Sequence, residues 1–260
     1  MQFPSAVFAL ALALQLLGSD LAPTGTLRAA FIANNPVQGR MDDQTGAASG
    51  PAPDLARDLA ERLGVPYEIT PLPTARGVLD SVRTGEADIG FLAYEAARAE
   101  LVDYSDAYLL SGSTYAVRAD SNIRRLADVD RAGVTVGVVA GQSQAVWVGE
   151  HITSAQIHTF PTVPPNPAFA AMLLDGTVDA IAANRTRMEE LVRDFPTVGV
   201  LDGDFLVTQQ AIVVAQGERA KLGEVNRFLA EVRASGFVQA SIDRAGVPGV
   251  RVASGREARE

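Results

Sequence analysis

Short apolar strands alternate with helices along this chain, and the alternation runs through the sequence twice. The first run predicts strands at 26–33, 67–72 and 87–93 and helices at 53–63 and 74–82. The clearest helix, 53–63, has leucines at every fourth position and a Gly directly after it. Strands joined through helices of this length lie parallel, so the sequence predicts an α/β fold that binds ligands at the carboxyl ends of its strands.

The second run predicts strands at 134–140, 156–160 and 178–183 and helices at 143–150 and 168–174. The two halves share a Gly-x-x-Asp motif just before an apolar strand, at 85–88 and at 176–179. This register makes Ala93 and Asn184 equivalent strand ends. We expect the two residues to face a common cleft, one from each half of the chain.

Composition narrows the possible functions. A net charge of -9, with Lys221 as the only lysine, leaves no clustered basic surface for phosphates, so no nucleic-acid partner is expected. The chain has no Cys, which excludes disulfides, thiolate nucleophiles and Cys-ligated zinc. Its two histidines, His151 and His158, offer little for a metal site or a Ser-His-Asp triad. No cofactor and no metal are expected.

The N-terminal segment carries a twelve-residue apolar run, 6–17. A run of this length is too short to cross a bilayer and is typical of a secretory leader. Residues 1–22 are therefore expected to be a signal peptide and the protein to be periplasmic. Residues 1–5 lack the usual Lys or Arg, which leaves open a docked N-terminal helix on a cytoplasmic protein, or a wrongly assigned start. The polar residues 251–260 are expected to form a flexible tail.

Three segments, 53–65, 78–106 and 178–184, together resemble the family 3 extracellular solute-binding proteins, which serve amino-acid uptake transporters. The most specific stretch runs from the first Gly-x-x-Asp motif through an Arg to the sequence Asp-Tyr-Ser-Asp at 103–106. The order and spacing of these short motifs carry the resemblance, which covers about 25–246.

The resemblance implies a two-lobed periplasmic-binding-protein fold of the venus-flytrap type (type II), with two crossover hinge strands. The crossovers are expected near 111–116 and 206–211. Lobe 1 would comprise 24–112 and 209–250, and lobe 2 would comprise 113–208. Closure of the lobes about the hinge would enclose the ligand.

Arg98 matches the position at which the family's arginine binds the ligand carboxylate. A planar guanidinium gives a carboxylate two parallel charge-assisted hydrogen bonds. In lobe 2, the turn at 141–143 opens a helix and can offer N–H groups and a hydroxyl to an anion. The expected ligand-binding residues are Arg98, Asn184, Gln142, Ser143, Phe91, Ala93, Tyr94, Asn34, Asn35 and Gln210, with Trp147 as a further apolar wall.

Family members that bind α-amino acids also supply carboxylates and hydroxyls for the ammonium group, and this chain departs from that pattern. Asn184 stands where the family has an aspartate of the second lobe, and a residue near Ile32 stands for the acid of the first strand. Phe91 and Ala93 replace Ser or Thr. A buried ammonium without its charge partner is costly. The expected ligand is therefore a small carboxylate without an α-ammonium, with sulfonates and phosphonates less favoured.

The expected function is capture of this solute, by a monomer without catalytic residues, for the membrane permease of an ABC-type transporter. One alternative is an enzyme similar to the cyclohexadienyl dehydratases, which share the scaffold. Such an enzyme would need an acid in the cleft, and Glu95 is the nearest in the sequence. A ligand-sensing domain is the other alternative.

Overall fold

The computed structural model describes residues 20–33 and 35–254. Its first elements are β1 (Leu27–Ile32), β2 (Arg40–Met41), β3 (Ala48–Ser49), α1 (Pro51–Leu63), β4 (Tyr67–Leu72), α2 (Ala75–Thr84), β5 (Ile89–Ala93) and α3 (Ala96–Ala99). The middle elements are β6 (Val102–Arg118), a 3-10 turn (Leu126–Asp128), β7 (Thr135–Val139), α4 (Ser143–His151), β8 (Gln156–Phe160), α5 (Asn166–Leu174), β9 (Ala180–Asn184) and α6 (Arg185–Asp194). The last elements are β10 (Val198–Val200), β11 (Leu206–Ala215), α7 (Arg219–Ala234), α8 (Phe237–Ala245) and β12 (Val250–Val252).

The main sheet joins two groups of parallel strands through a central antiparallel pair. Along the sheet the order is β4-β1-β5-β11-β6-β9-β7-β8, with β10 and β12 also paired to β6. The parallel strands β1, β4 and β5 belong to lobe 1, and the parallel strands β7, β8 and β9 belong to lobe 2. β6 pairs with β11 beside lobe 1 and with β9 in lobe 2, so β6 and β11 connect the lobes. The residues at which the lobes divide, 112/113 and 208/209, stay a prediction.

Local chemistry sets the ends of the helices in lobe 1. In α1, Leu55 and Leu59 are buried one turn apart. Gly64 ends this helix at a φ of 69°, in the left-handed region that glycine adopts without strain. Thr74 caps α2, since its hydroxyl accepts a hydrogen bond from the N–H of Gly77 at 3.0 Å. The helices therefore begin and end within two residues of the predicted bounds.

The repeated Gly-x-x-Asp motif has the same role in both lobes. The carboxylate of Asp88 accepts a hydrogen bond from the backbone N–H of Arg28 at 2.9 Å, at the start of β1. The carboxylate of Asp179 accepts one from the backbone N–H of Thr135 at 2.8 Å, at the start of β7. Each Asp thus ties its own strand to a neighbouring parallel strand. The internal similarity of the sequence therefore corresponds to equivalent positions in the two lobes.

Each lobe has its own buried core. In lobe 1, apolar side chains of β1, β5 and β11 pack under α1, α7 and α8. Leu21 and Ala22 are fully buried in this core, so the predicted leader, 1–22, overlaps the folded lobe at these two residues. Residues 1–19 of the predicted leader lie outside the described residues. Where the structure describes the chain, no helix is both long and apolar enough to span a bilayer.

Three segments carry strands that the sequence does not predict: β2–β3, β10 and β12. β2 and β3 form a hairpin within the predicted loop 38–50. β12 pairs antiparallel with the crossover strand β6, with Val250 opposite Ser111, and Ala253 is buried. The prediction of a flexible tail is therefore wrong for 251–253. Strands of two or three residues depend on partners distant in the sequence, which local patterns do not reveal.

Candidate functional site

A closed cavity, here called the Arg98 chamber, lies between the lobes at the carboxyl ends of β1, β5 and β9. Its volume is about 20 Å³, space for about one water molecule. Hydrogen bonds from Arg98 to Gly141 and from Asn184 to Asn35 join the two lobes here, so the lobes are closed on each other in this structure. Amides, hydroxyls and one guanidinium line it: Asn35, Gln38, Gln142, Gln144, Asn184, Gln210, Ser111, Ser143, Thr208 and Arg98, with Ile32, Val37 and Ala93 as apolar neighbours. Among the described residues no carboxylate lies in this lining.

Arg98 follows β5 on the short helix α3 and connects the lobes. Its Nη1 donates a hydrogen bond to the carbonyl of Ala93 at 2.9 Å, and its Nη2 donates one to the carbonyl of Gly141, in lobe 2, at 2.6 Å. The Ala93 carbonyl also accepts a hydrogen bond from the Tyr104 hydroxyl at 3.0 Å. Burial raises the pKa of Tyr104 to about 12, so this hydroxyl stays a neutral donor. These contacts use two of the guanidinium's five N–H groups and hold its fork at the chamber wall.

The N-terminus of α4 forms the opposite wall of the Arg98 chamber. Gln142 precedes the helix, and Ser143 is its first residue, 4% exposed. Within the described chain, the buried Oγ of Ser143 has no hydrogen-bond partner. A hydroxyl and the first N–H groups of a helix therefore meet at one point, which favours an anion because the helix dipole is positive at this end.

Hydrogen-bonded neutral side chains, three of them on the crossover strands, form the floor of the Arg98 chamber. Gln38 is fully buried and accepts a hydrogen bond from the N–H of Ile32 at 2.9 Å. Its Nε2 donates to Oε1 of Gln210 at 3.3 Å, and Nε2 of Gln210 donates to the Ser111 hydroxyl at 3.2 Å. The Ser111 hydroxyl also lies 3.2 Å from that of Thr208. Each group is fixed by its neighbour, so the floor is a rigid set of dipoles without charge.

Asn184 ends β9 and presents an N–H donor to the cleft. Its Oδ1 accepts a hydrogen bond from the N–H of Arg187 at 2.9 Å and thereby caps α6. Its Nδ2 donates to Oδ1 of Asn35, in lobe 1, at 3.3 Å. Because the oxygen is used by the helix, the amide offers the cleft a donor, which suits an oxygen acceptor and repels an ammonium.

A second cavity, here called the Arg187 chamber, adjoins the Arg98 chamber. The two share Asn35, Gln142, Gln144 and Asn184 as lining residues. The Arg187 chamber encloses about 30 Å³. The remainder of its lining is apolar except for one cation: Val139, Val163, Phe169, Ala182, Ala183 and Arg187.

Arg187 is the largely buried cation of this second chamber. Only 8% of its surface is exposed, and its guanidinium lies over the ring of Phe169, 5.2 Å from the centroid. Its Nη2 donates to the carbonyl of Pro164 at 2.7 Å. Burial, and then repulsion from Arg40, lowers the pKa of Arg187 to about 10. The side chain therefore remains positive at neutral pH although its surroundings disfavour the charge.

Most of the residues that the sequence selects for the site are brought together by the structure. The Arg98 chamber contains seven of them: Arg98, Asn184, Gln142, Ser143, Ala93, Asn35 and Gln210. Asn34 lies outside the described residues. Whether these side chains bind a ligand stays a prediction.

Phe91 and Tyr94 lie elsewhere. Phe91, in the middle of β5, is fully buried in the lobe 1 core, with its ring edge-to-face against Tyr108. Only the last residue of the strand reaches the cleft, which is why Ala93 lines the chamber and Phe91 does not. Tyr94 is 38% exposed and lines a neighbouring surface groove together with Glu95 and Trp147.

Sequence reasoning missed four polar residues of the Arg98 chamber: Gln38, Ser111, Gln144 and Thr208. Ser111 and Thr208 lie opposite each other on the crossover strands, so polar residues at the predicted crossovers were an available signal. Gln144 follows the predicted anion-binding turn directly. Nothing in the sequence marks Gln38, which lies in a polar, Gly-rich loop, as a fully buried side chain. Among residues 20–33 and 35–254, no cluster of His, Asp or Glu could hold a metal ion.

The two lobes, the two crossover strands and the polar cavity between the lobes define a solute-binding protein of the venus-flytrap type. The chain belongs to family 3 of the bacterial extracellular solute-binding proteins, whose sequence profile matches residues 27–245. The family and the two-lobed α/β fold predicted from the sequence are confirmed.

The relatives and similar solved structures of this chain include amino-acid-binding proteins. It is 28% identical to the glutamine-binding protein of Geobacillus stearothermophilus over 171 residues, which span 64% of each chain. Its fold is similar to the crystal structure of the ancestral amino acid-binding protein AncCDT-1, a precursor of cyclohexadienyl dehydratase (TM-score 0.74, 24% identity, 86% of this chain and 96% of the other). It is also similar to the substrate-binding protein of an amino acid ABC transporter (TM-score 0.72, 23% identity, 85% and 98%).

Proposed function

We propose that this protein captures a small carboxylate without an α-ammonium between its lobes and presents it, in the periplasm, to the permease of an ABC-type transporter. The observation that carries the proposal is the charge of the Arg98 chamber. Arg98 is its one ionised side chain among the described residues, and no Asp or Glu accompanies it. The site therefore matches one negative charge.

The binding mode follows from the donors that converge on the chamber. Arg98 would give a carboxylate two parallel hydrogen bonds, after exchanging its contact with the carbonyl of Gly141 for the ligand. The Ser143 hydroxyl and the first N–H groups of α4 would complete the anion site from lobe 2. Asn184 would donate to a second ligand oxygen. Since these groups come from both lobes, a bound anion stabilises the closed form.

The same lining disfavours an α-ammonium group. A cation transferred into a closed cavity needs a charge partner or several acceptors, and without them it costs several kcal/mol. At the position beside the cleft where an aspartate would supply a carboxylate, this chain has Asn184. The side-chain oxygen of Asn184 already accepts a hydrogen bond from the backbone N–H of Arg187. A standard amino acid would therefore leave its ammonium poorly solvated.

An enzymatic function on this scaffold lacks support from the cavity. An elimination needs an acid or base within hydrogen-bonding reach of the substrate. Glu95, the nearest acid in the sequence, lines the surface groove with Tyr94 and Trp147 rather than the Arg98 chamber. The structure therefore favours binding without reaction.

The test is calorimetric titration of the purified chain with matched pairs, each a carboxylate and its α-amino acid of the same carbon skeleton. We expect heat only from the amine-free member. Arg98→Ala should weaken binding at least about a hundredfold, because a charge-assisted bidentate contact is lost. Arg76→Ala, which removes a 75% exposed arginine of lobe 1, is the matched control. Tight binding of the amino acids, or binding that survives Arg98→Ala, would contradict the proposal.

A further inference from the structure

The Arg98 and Arg187 chambers adjoin and together form one site. Four lining residues are common to both, and two of them, Asn35 and Asn184, are hydrogen-bonded to each other across the cleft at 3.3 Å. When the lobes part, this bond between the chambers opens, because one residue lies in each lobe. A ligand bound there would pass between the two asparagines and reach both chambers.

Each of the two chambers has one cationic side chain. Arg98 lines the first chamber and Arg187 the second, and neither chamber has an Asp or Glu in its described lining. The residues common to both chambers carry neutral amides, and Val139, Ala182 and Ala183 add apolar wall in the Arg187 chamber. The arrangement fits a short hydrocarbon chain with a negative group at each end.

The surroundings of Arg187 strengthen this reading. The charged side chains next to it, in the surface pocket beyond the chamber, are Arg40, Asp43 and Glu190. Glu190 is committed to an ion pair with Arg40. Burial, and then repulsion from Arg40, lower the pKa of Arg187. An anion bound beside Arg187 would relieve that unfavourable environment.

We infer that the ligand is a dianion, an α,ω-dicarboxylate without an amino group, with one carboxylate bound at Arg98 and the other at Arg187. The inference rests on the proposed function and narrows its ligand class. Arg187 is then the residue that distinguishes dicarboxylates from monocarboxylates. Its guanidinium, which lies over the ring of Phe169, would supply planar charge-assisted donors to the second carboxylate.

The experiment compares linear dicarboxylates of four to six carbons with monocarboxylates of the same length by calorimetric titration. We expect the best dicarboxylate to bind about tenfold to a hundredfold tighter than its monocarboxylate, the effect of one charge-assisted contact. Arg187→Gln should remove this preference for the dicarboxylate. Arg187→Lys should keep part of it, and Arg193→Gln, a 72% exposed arginine of the same helix, should keep all of it.

The outcomes separate the two proposals. Equal affinity for both series, with binding that still requires Arg98, would overturn the dicarboxylate inference and leave the proposed function standing. A dicarboxylate preference that survives Arg187→Gln would overturn it as well. If Arg187→Gln does not fold, as judged by circular dichroism, the Arg187→Lys variant decides, since unchanged selectivity there would contradict a bidentate contact. If no carboxylate binds at all, the proposed function fails first.

Discussion

Arg40 and Glu190 form an ion pair across the interlobe cleft, from the β2–β3 hairpin of lobe 1 to helix α6 of lobe 2. The carboxylate side chain is 8% exposed and the arginine side chain 50%. The contact lies outside the Arg98 chamber, so it holds the lobes together without depending on a ligand. This ion pair therefore stabilises the closed arrangement of the lobes independently of a ligand.

We predict that Glu190→Gln shifts the unliganded protein toward an open form. A partly exposed ion pair contributes about 0.2–1 kcal/mol, so the equilibrium between closed and open forms should change by a factor of about 1.4 to 5. The measurement is the radius of gyration by small-angle X-ray scattering, which should rise. Asp120→Asn, which breaks an exposed ion pair within lobe 2, should leave it unchanged. An identical scattering curve for Glu190→Gln would show that the pair does not favour closure.

Asn184→Asp should reverse the charge preference of the cleft. Aspartate caps a helix about as well as asparagine, so the stability of the fold should change by less than about 0.5 kcal/mol. The new carboxylate should weaken binding of the anionic ligand about tenfold or more, and it should improve binding of the matching α-amino acid.

Titration with the two matched ligands measures this change in selectivity. Asn226→Asp is the control, because Asn226 also accepts a backbone hydrogen bond, from Asp106, but in lobe 1 and away from the cleft. Both variants gain the same charge. If they alter affinity equally, the effect is one of overall charge, and the assignment of Asn184 to the site is wrong.

Ser143→Ala should separate binding from stability. Its Oγ is buried and has no partner within the described residues, so its removal should leave the melting temperature of the unliganded protein nearly unchanged. Ligand affinity should fall about threefold to tenfold, the effect of one hydrogen bond. Ser241→Ala, which removes a hydrogen bond to Asp54 at 2.5 Å, should show the opposite pattern. A Ser143→Ala variant with lower stability and unchanged affinity would indicate a purely structural hydroxyl.

Asp130 should contribute to stability in a defined pH range. Its carboxylate accepts hydrogen bonds from the backbone N–H groups of Ala155, Ser154 and Thr153, and these lower its pKa from 3.8 to about 2. Because the folded-state pKa lies below the unfolded one, the stabilisation is complete above about pH 4 and is lost as the pH falls through about 2.

Asp130→Asn should therefore lower the melting temperature at neutral pH and flatten its dependence on pH between about 4 and 2. Thermal unfolding followed by circular dichroism across this range measures both effects. Asp120→Asn, which alters an 83% exposed side chain, serves as the control. Curves for Asp130→Asn and the unmodified chain that remain parallel down to pH 2 would refute the contribution.

The regular elements of this fold were accessible from the sequence because their causes are local. The helix predicted at 53–63 begins slightly earlier in the structure, at Pro51. It ends at Gly64, and the sequence alone already indicates this glycine as the end of the helix. The hairpin β2–β3 and the strand β12 were not accessible. Each has only two or three residues, and the ladder hydrogen bonds that define them come from partners chosen by the tertiary fold.

The same contrast between local causes and tertiary causes applies to the residues of the candidate site. Arg98, Ser143 and Asn184 lie at element ends, where the α/β pattern itself predicts a ligand site. Phe91 was misplaced because alternation along a strand does not say which layer covers each face. Gln38 was not predicted as a site residue because its burial depends on a hydrogen bond to Gln210, 172 positions away in the sequence. Long-range polar pairs of this kind leave no periodic signal.

Trp147 is the only tryptophan of the chain, and its position gives the protein a built-in optical reporter. Its indole stacks on His151 at 4.2 Å and lies 4.7 Å from the ring of Phe205, just before β11. It also borders a groove to which Tyr94, of lobe 1, contributes the other side. Separation of the lobes would change the solvent around the indole, so its fluorescence emission would follow opening and closing without any attached dye.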